Sequence, residues 1–389
     1  MSRLAFVVPR YGPDILGGAE TMAREMAERL VAQGHTVTAL TTCMRDYATW
    51  KNVDPPGHAE WHGVAIERFP VHGDWRTPEK LDLWSRLPSL SVDEQYTWVH
   101  NLPHAPGLYQ HLIDHRQEHD LFFFIPYLYS TAYYGSGLVN ERAVIWPCLH
   151  NEIFAFYHPT RSMLATARGV LYNSPAEQVL AHRLGVVNQR ESVVGFGVPE
   201  LEADPRRFRD EIGLTEPYLI YSGRLEEAKN FHTLCDYFAR YKLLRPGDLK
   251  LVIMGDGPLR SEKAHPDFVY TGFRKGQAMY DAIAGAIALC QPSLQESFSI
   301  VIMEAWALGI PVIVNAGCAV TAEHAAQSQG GLTFLSYNQF ARALDTLVTQ
   351  PDVAINLGRL GQQYVRSRYN WAAVMERMGA ALEVWVNEH

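Results

Sequence analysis

Residues 4–42 read LAFVVPRYGPDILGGAETMAREMAERLVAQGHTVTALTT, and this stretch decides the fold. Leu4 to Val8 is a short apolar run of strand type, and Thr36 to Thr42 is a second, rich in β-branched residues. Between them Ala19, Met22, Ala23, Met26, Ala27, Leu30 and Val31 recur at helical spacing from Ala19 to Gln33, and Gly34 stops the helix. Strand, helix and strand in this order form a βαβ unit, whose two strands lie parallel in one sheet.

The pattern continues outward. Further strands are expected at Val64 to Phe69, Leu121 to Ile125, Ala143 to Trp146, Gly169 to Tyr172 and Ser192 to Val194. From Gly195 to Pro217 the text turns to GFGVPELEADPRRFRDEIGLTEP, rich in Pro, Gly and charge as interdomain linkers are. The alternation then restarts with Tyr218 to Ser222, Leu249 to Met254, Phe268 to Tyr270, Ala286 to Gln291, Pro311 to Val314 and Leu332 to Phe334. From Asn338 to Glu388 the spacing is helical, with Trp371, Val374, Met375, Met378 and Leu382 as an apolar stripe. The expectation is therefore an α/β protein of two similar domains, residues 1–195 and 218–365, with a linker at 196–217 and a terminal helix at 366–389.

Composition narrows the function. Hydrophobic residues make up 47% of the 389, enough for two full cores, so disorder is excluded. The longest apolar runs, Leu121 to Ile125 and Ala286 to Cys290 among them, fall far short of the roughly 18 residues a membrane span needs. No signal-peptide pattern opens the chain, and a cytoplasmic location is expected. The five cysteines, Cys43, Cys148, Cys235, Cys290 and Cys318, are too scattered for a disulfide framework or a zinc site. A formal charge of −8 argues against nucleic acid as a main partner, so any anionic ligand must be met by a local cluster of cations or backbone N–H groups.

Ligands of open parallel sheets sit at the carboxyl ends of strands, so the loops there come first. After the first strand stands Pro9 to Gly18, where Gly17 and Gly18 let a phosphate or sugar approach a helix N-terminus; the plain alternative is a glycine cap. The loop lacks the G-x-G-x-x-G of dinucleotide folds, and the chain has no G-x-x-x-x-G-K-[ST]. After Tyr218 to Ser222 come Gly223, Arg224 and Lys229, two cations suited to a diphosphate, or else a solvated Arg and a Lys paired with Glu226 or Glu227 at the start of a helix. The segment from Pro292 to Val314, PSLQESFSIVIMEAWALGIPVIV, places Ser297, Phe298 and Ser299 at the head of a helix from Ile300 to Leu308, again an anion site. Glu296 precedes that helix and Glu304 lies a turn inside it; a carboxylate beside a phosphate site suits ribose or sugar hydroxyls, although a capping acid and a surface residue explain the pair as well.

Gly223-Arg224 with Lys229, the Glu296 to Glu304 spacing, and Gly17-Gly18-Ala19-Glu20 ahead of Gly34-His35-Thr36-Val37 together resemble family 4 glycosyltransferases of the GT-B fold, over essentially the whole chain. The resemblance implies two Rossmann-like domains facing across a cleft, donor bound by the second and acceptor by the first, with retention of anomeric configuration and no metal or cofactor. Position by position it implies that Arg224 and Lys229 neutralise the diphosphate of a UDP- or GDP-linked sugar and that Glu304 takes the ribose. It places Glu296 and the backbone of Ser297, Phe298, Ser299 and Ile300 beside the sugar and phosphate, and Gly18, next to Gly17, close to the diphosphate. Thr271, Gly272 and Phe273 match the stretch that contacts the base. His150, in Trp146-Pro147-Cys148-Leu149-His150-Asn151-Glu152, matches a histidine facing the donor sugar. Asn173-Ser174 matches another position of the first domain's cleft, although helix capping accounts for it equally. The chain departs from the family at Ser299, often Gly, at Gly195 to Pro199, and at Asn315 to Thr321, where two glycines and a glutamate are usual.

The expected reaction is transfer of a sugar from the nucleotide to an acceptor hydroxyl, the acceptor being a carbohydrate, a lipid-linked or a small molecule, with peripheral membrane contact left open. Arg224, Lys229 and the Ser297 to Ser299 turn meet the charge of the departing phosphate, and Glu296 and His150 orient the sugar. Rival readings are a sugar-nucleotide epimerase or hydrolase on the same fold, or a donor-binding partner subunit without activity. The stretch from Gly73 to Pro106, with Trp75, Trp84, Tyr96 and Trp98, is expected either to border the acceptor or to form an amphipathic surface helix.

Overall fold

The computed structural model of the protein describes residues 1–15, 17–73, 77–260 and 264–387. Leu16, Trp75 and its two neighbours lie outside the described residues, so the expectation for Trp75 finds no test there. Two compact units emerge, Met1–Gly195 with Met375–His389, and Phe196–Val374.

The first unit holds β1 (Arg3–Val7), α1 (Gly18–Ala32), β2 (Thr36–Thr42), β3 (Gly57–Trp61), β4 (Val64–Phe69), α2 (Pro78–Ser85), α3 (Val92–His100), α4 (Pro106–Asp114), β5 (Leu121–Phe124), α5 (Ser130–Leu138), β6 (Ala143–Ile145), α6 (His158–Thr166), β7 (Gly169–Tyr172), α7 (Pro175–Arg183) and β8 (Glu191–Val193). Its sheet runs β3-β4-β2-β1-β5-β6-β7-β8 and is parallel except at β3. Strand β5 reads LFFF and every residue is fully buried, because helices cover both faces of a parallel sheet and leave no polar alternation.

Strand β3 is absent from the reading of the sequence. Its five residues, GHAEW, carry no apolar run, since an edge strand with an exposed face needs none. Its signal lies in the turn: His62 and Gly63 both have positive φ, 49° and 78°, the geometry of a two-residue hairpin loop of type I′.

The second unit holds α8 (Pro205–Ile212), β9 (Tyr218–Ser222), α9 (Phe231–Leu244), β10 (Lys250–Met254), β11 (Phe268–Gly272), α10 (Gln277–Ala284), β12 (Ala288–Gln291), α11 (Ile300–Ala307), β13 (Val312–Asn315), α12 (Ala319–Ser328), β14 (Gly331–Phe334), α13 (Tyr337–Thr349) and α14 (Pro351–Arg368), in a parallel sheet of order β11-β10-β9-β12-β13-β14. Its core gathers Leu219, Tyr221, Phe231, Phe238, Ile253 and Phe340, all fully buried.

The stretch expected as a linker carries helix α8. Asp204 caps it, Phe208 is buried beneath it, and Arg207 Nε meets Asp281 Oδ2 at 2.7 Å, so its charge and proline serve a docked helix. The helical C-terminus resolves into three helices, the last being α15 (Trp371–Asn387), so residue 366 lies in the final turn of α14. Toward the end of α15, Trp385 is buried against Gly169, and its carbonyl accepts from Arg168 Nε at 2.9 Å.

Candidate functional site

In the second unit, β9 and β12 are neighbours from which the chain winds in opposite directions, to β10 and β11 on one side and to β13 and β14 on the other. Such a switch point leaves a crevice at the carboxyl ends of its two strands. The loops that open into it are 223–230 and 292–299, which carry Arg224, Lys229, Glu296 and the head of α11.

Arg224 is set by its backbone. Its carbonyl accepts from Tyr221 Oη at 2.6 Å, and the next residue, Leu225, donates to Asp256 O and accepts from Leu259 N, both at 3.0 Å. This zipper between the loops after β9 and β10 needs Gly255 and Gly257: a Cβ on Gly255 would stand 1.9 Å from Gly223 O, and one on Gly257 2.5 Å from Leu225 O. The sequence reading passed over Gly255-Asp256-Gly257, although a G-x-G directly after a strand is a signal of close backbone approach. The Arg224 side chain is 71% exposed and pairs with Glu226 at 3.0 Å.

Lys229 does not start a helix. Residues Glu227–Lys229 form one 3-10 turn, Asn230 follows in the left-handed region, and α9 begins at Phe231. Its partner is neither Glu226 nor Glu227: Nζ lies 2.8 Å from Glu296 Oε1, across the switch point, and both side chains are largely buried. Asn230 fixes this arrangement, with Nδ2 donating to Pro292 O at 3.0 Å and Oδ1 accepting from Thr233 Oγ1.

At the head of α11, Ser299 takes φ 70°, a conformation that favours glycine, and its buried Oγ has no protein partner. The turn is anchored by Phe298, whose ring meets Phe196, His324 and Tyr369 edge-on. The side chain of Phe298 thus belongs to the core, and only its backbone remains for a ligand. Ile300 opens α11, and Glu304 stands one turn inside it, half-buried beside Tyr280; burial pushes its carboxyl up to about 8, against the Tyr280 hydrogen bond. The loop into α12, where the chain departs from the family, lies close by: the buried Cys318 thiol faces the backbone of Glu296. Gly272 and Phe273 lie at the far edge of the sheet, at the end of β11. Gly272 O accepts from Gly255 N at 3.0 Å, and Phe273 is 56% exposed.

In the first unit, Gly17 stands at the N-cap of α1 and Gly18 is its first residue. Glu20 turns back beneath them, bound to Arg10 through both Nε and Nη2 and to Tyr47 Oη at 2.9 Å. A Cβ on Gly17 would stand 2.1 Å from Glu20 Oε2, so this glycine makes room for a pinned carboxylate. Arg10 covers one face of Tyr47 and Tyr129 stacks on the other at 4.6 Å. Neither Arg10 nor Tyr47 was legible as part of this group, because Arg10 comes from the loop after β1, Glu20 from the first turn of α1 and Tyr47 from the loop after β2.

His150 stands in the loop after β6, partly exposed, with Nδ1 3.8 Å from Glu152 Oε1, which accepts from Tyr127 Oη at 2.7 Å. Asn173 is buried, accepting from Trp146 Nε1 at 2.9 Å, and Ser174 caps α7, so both serve the protein's own backbone and core. Among the aromatic residues after Gly73, Trp98 is 4% exposed, stacked on Phe154 at 4.6 Å, and so is core. Tyr96 bonds His158, and Trp84 is 39% exposed with its edge toward Trp98.

Among the described residues no cluster of three or more His, Cys, Asp or Glu is placed to hold a metal ion, and no helix is long and apolar enough to cross a membrane. The five cysteines are free.

The family described as "Glycosyl transferase 4-like domain" matches residues 17–197, and that described as "Glycosyl transferases group 1" matches residues 216–350. An uncharacterized glycosyltransferase of Methanocaldococcus jannaschii is 24% identical over 338 residues, 80% of each chain. A GDP-mannose-dependent alpha-mannosyltransferase of Mycolicibacterium smegmatis is 28% identical over 186 residues, 46% of this chain and 44% of that one. Among solved structures, Anabaena HepE in complex with UDP and glucose superposes with a TM-score of 0.74 at 17% identity, covering 98% of this chain and 100% of that one. With two parallel-sheet domains and a motif set that both family descriptions cover, the chain belongs to the family 4 glycosyltransferases of the GT-B fold.

Proposed function

We propose that this glycosyltransferase takes a sugar from a nucleoside-diphosphate donor and transfers it to an acceptor hydroxyl with retention of anomeric configuration. The observation that carries the reading is the Lys229–Glu296 pair beside the head of α11, at the switch point of the second unit. A cation, a helix N-terminus and a carboxylate for hydroxyls stand together there, which is the chemistry of a sugar diphosphate. The names of relatives support a nucleotide sugar without choosing its base, since one is GDP-mannose-dependent and another was solved with UDP and glucose.

In the reaction, the bond from the anomeric carbon to the phosphate oxygen breaks and the acceptor oxygen bonds to the same face of that carbon. The acceptor proton passes to the departing phosphate oxygen. Arg224 and Lys229 stabilise the charge that develops on the diphosphate, and the amides of Ser297 to Ile300 add fixed dipoles. Donor binding draws Lys229 from Glu296 toward phosphate, which frees that carboxylate for sugar hydroxyls. Glu304 holds the ribose, Gly272 and Phe273 adjoin the base, and Gly17 and Gly18 are assigned to the diphosphate. His150 is assigned to the sugar.

The test is incubation with UDP- and GDP-sugars and an acceptor panel, with the product's anomeric proton read by NMR. A product of the donor's own configuration is expected. An inverted product, or free sugar released at the same rate without acceptor, overturns the reading.

A further inference from the structure

A fully buried polar construction in the first unit surrounds a carboxylate that motif reading does not single out. Glu177, in the first turn of α7, is fully buried. Its Oε1 accepts from the amide of Leu149 and its Oε2 from the amide of Asn173, each at 2.5 Å. Ser174 already caps α7, accepting from the Glu177 amide at 3.1 Å, so the bond to Leu149 exceeds what the helix needs. That bond ties the loop after β6 to the loop after β7.

Leu149 directly precedes His150. The rest of the loop is held from the same side: Trp146 Nε1 donates to Asn173 Oδ1 at 2.9 Å, and Asn173 Nδ2 lies 3.6 Å from Cys148 Sγ. Cys148 itself has φ 53°, a left-handed conformation that a residue with a side chain keeps only where its surroundings enforce it. Burying a carboxyl is costly, and here burial pushes its pKa up to about 8 despite the amide donors. An element that needed only a helix cap would not require it.

We propose that Glu177 is a positioning residue for His150, holding the Leu149 amide so that the imidazole projects from a fixed backbone. The inference rests on the assignment of His150 to the donor sugar. Glu177→Gln keeps the size but replaces one acceptor oxygen with an NH₂ group, which meets an N–H at Leu149 or Asn173 and releases one loop.

The experiment is a double-mutant cycle of Glu177→Gln and His150→Ala on the full chain, with kcat and donor KM measured on the active donor and acceptor pair. Glu177→Gln is expected to lower kcat about 10- to 100-fold, the scale of a misplaced catalytic group, with donor KM within about threefold. The double variant is expected to match His150→Ala alone, because a residue that acts through another adds nothing once its target is gone. Multiplying effects, or an unchanged kcat in Glu177→Gln, overturn the proposal. An unchanged kcat in His150→Ala instead overturns the assignment of His150. The clamp is then read separately, as a displaced His150 ring resonance in Glu177→Gln, and an undisplaced resonance overturns it as well. Should Glu177→Gln fail to fold, Glu177→Asp decides: it keeps the carboxylate but shortens its reach to the Leu149 amide, and a kcat equal to that of the parent overturns the proposal.

Discussion

Single residues divide here by how much of the fold rests on them. Arg224 is mostly in solvent and its pair with Glu226 is a surface pair, worth about 0–1 kcal/mol. Arg224→Ala is therefore expected to leave the melting temperature nearly unchanged while lowering kcat about 10²- to 10³-fold, the cost of losing one fixed charge at a transition state. Lys229 differs because its partner is buried: removing it strands Glu296, and losing one member of such a pair costs about 3–5 kcal/mol. Lys229→Ala should thus lose both activity and several degrees of melting temperature, while Lys229→Ala with Glu296→Gln should regain part of the stability and none of the activity. Calorimetry beside steady-state kinetics checks both; an Arg224→Ala protein as destabilised as Lys229→Ala contradicts the distinction. The residue types were legible in the sequence, but their partners were not. Glu226 and Glu227 were the near candidates for Lys229, and Glu296 won because adjacent strands bring positions 67 residues apart within 2.8 Å.

Elements act through their ends. The strands could be read nearly to the residue, since Thr36–Thr42 is rich in β-branched residues and Gly169–Tyr172 and Tyr218–Ser222 are largely apolar, as strands covered on both faces are. Strand β3 and the 3-10 turn before α9 could not, because neither depends on hydrophobic period. The junction of the loops after β9 and β10 is where an element-scale change should show most sharply. Gly255→Ala places a methyl group against the Gly223 carbonyl and must part the two loops, an overpacking cost of about 1–3 kcal/mol together with displacement of Arg224. Gly247→Ala, with nothing within 4 Å of the new methyl group, is the control. Urea midpoints and donor titration should separate the two variants; equal stability and affinity would show that the junction does not place Arg224.

At the scale of the whole molecule, each unit holds a carboxyl whose pKa is pushed up to about 8 by burial, the fully buried Glu177 in the first and the half-buried Glu304 in the second. Both are raised above the value near 4.5 of an exposed glutamate. Between those values the folded chain holds protons that the unfolded chain has released. Stability contributed by these groups is therefore full below about pH 4.5 and is lost as pH rises toward 8. Replacing Glu304 by Gln removes one such group, so the slope of the urea midpoint against pH should be shallower in Glu304→Gln than in the parent over that window. A slope unchanged by the substitution would mean that Glu304 is ionised in the folded protein throughout.

By itself the sequence determined the βαβ alternation and the family that the motifs around Arg224, Lys229, Glu296, Glu304 and His150 resemble. These depend on local composition and spacing, which the chain carries in one dimension. Only the tertiary structure decided that Lys229 pairs with Glu296, that Arg10, Glu20 and Tyr47 form one group, that Trp98 is core, and that Glu177 reaches Leu149. Each of these joins residues that lie on different elements or loops, and in a parallel sheet these meet only after the strands have paired. Which loops become neighbours follows from strand order, and strand order is not written in any one segment.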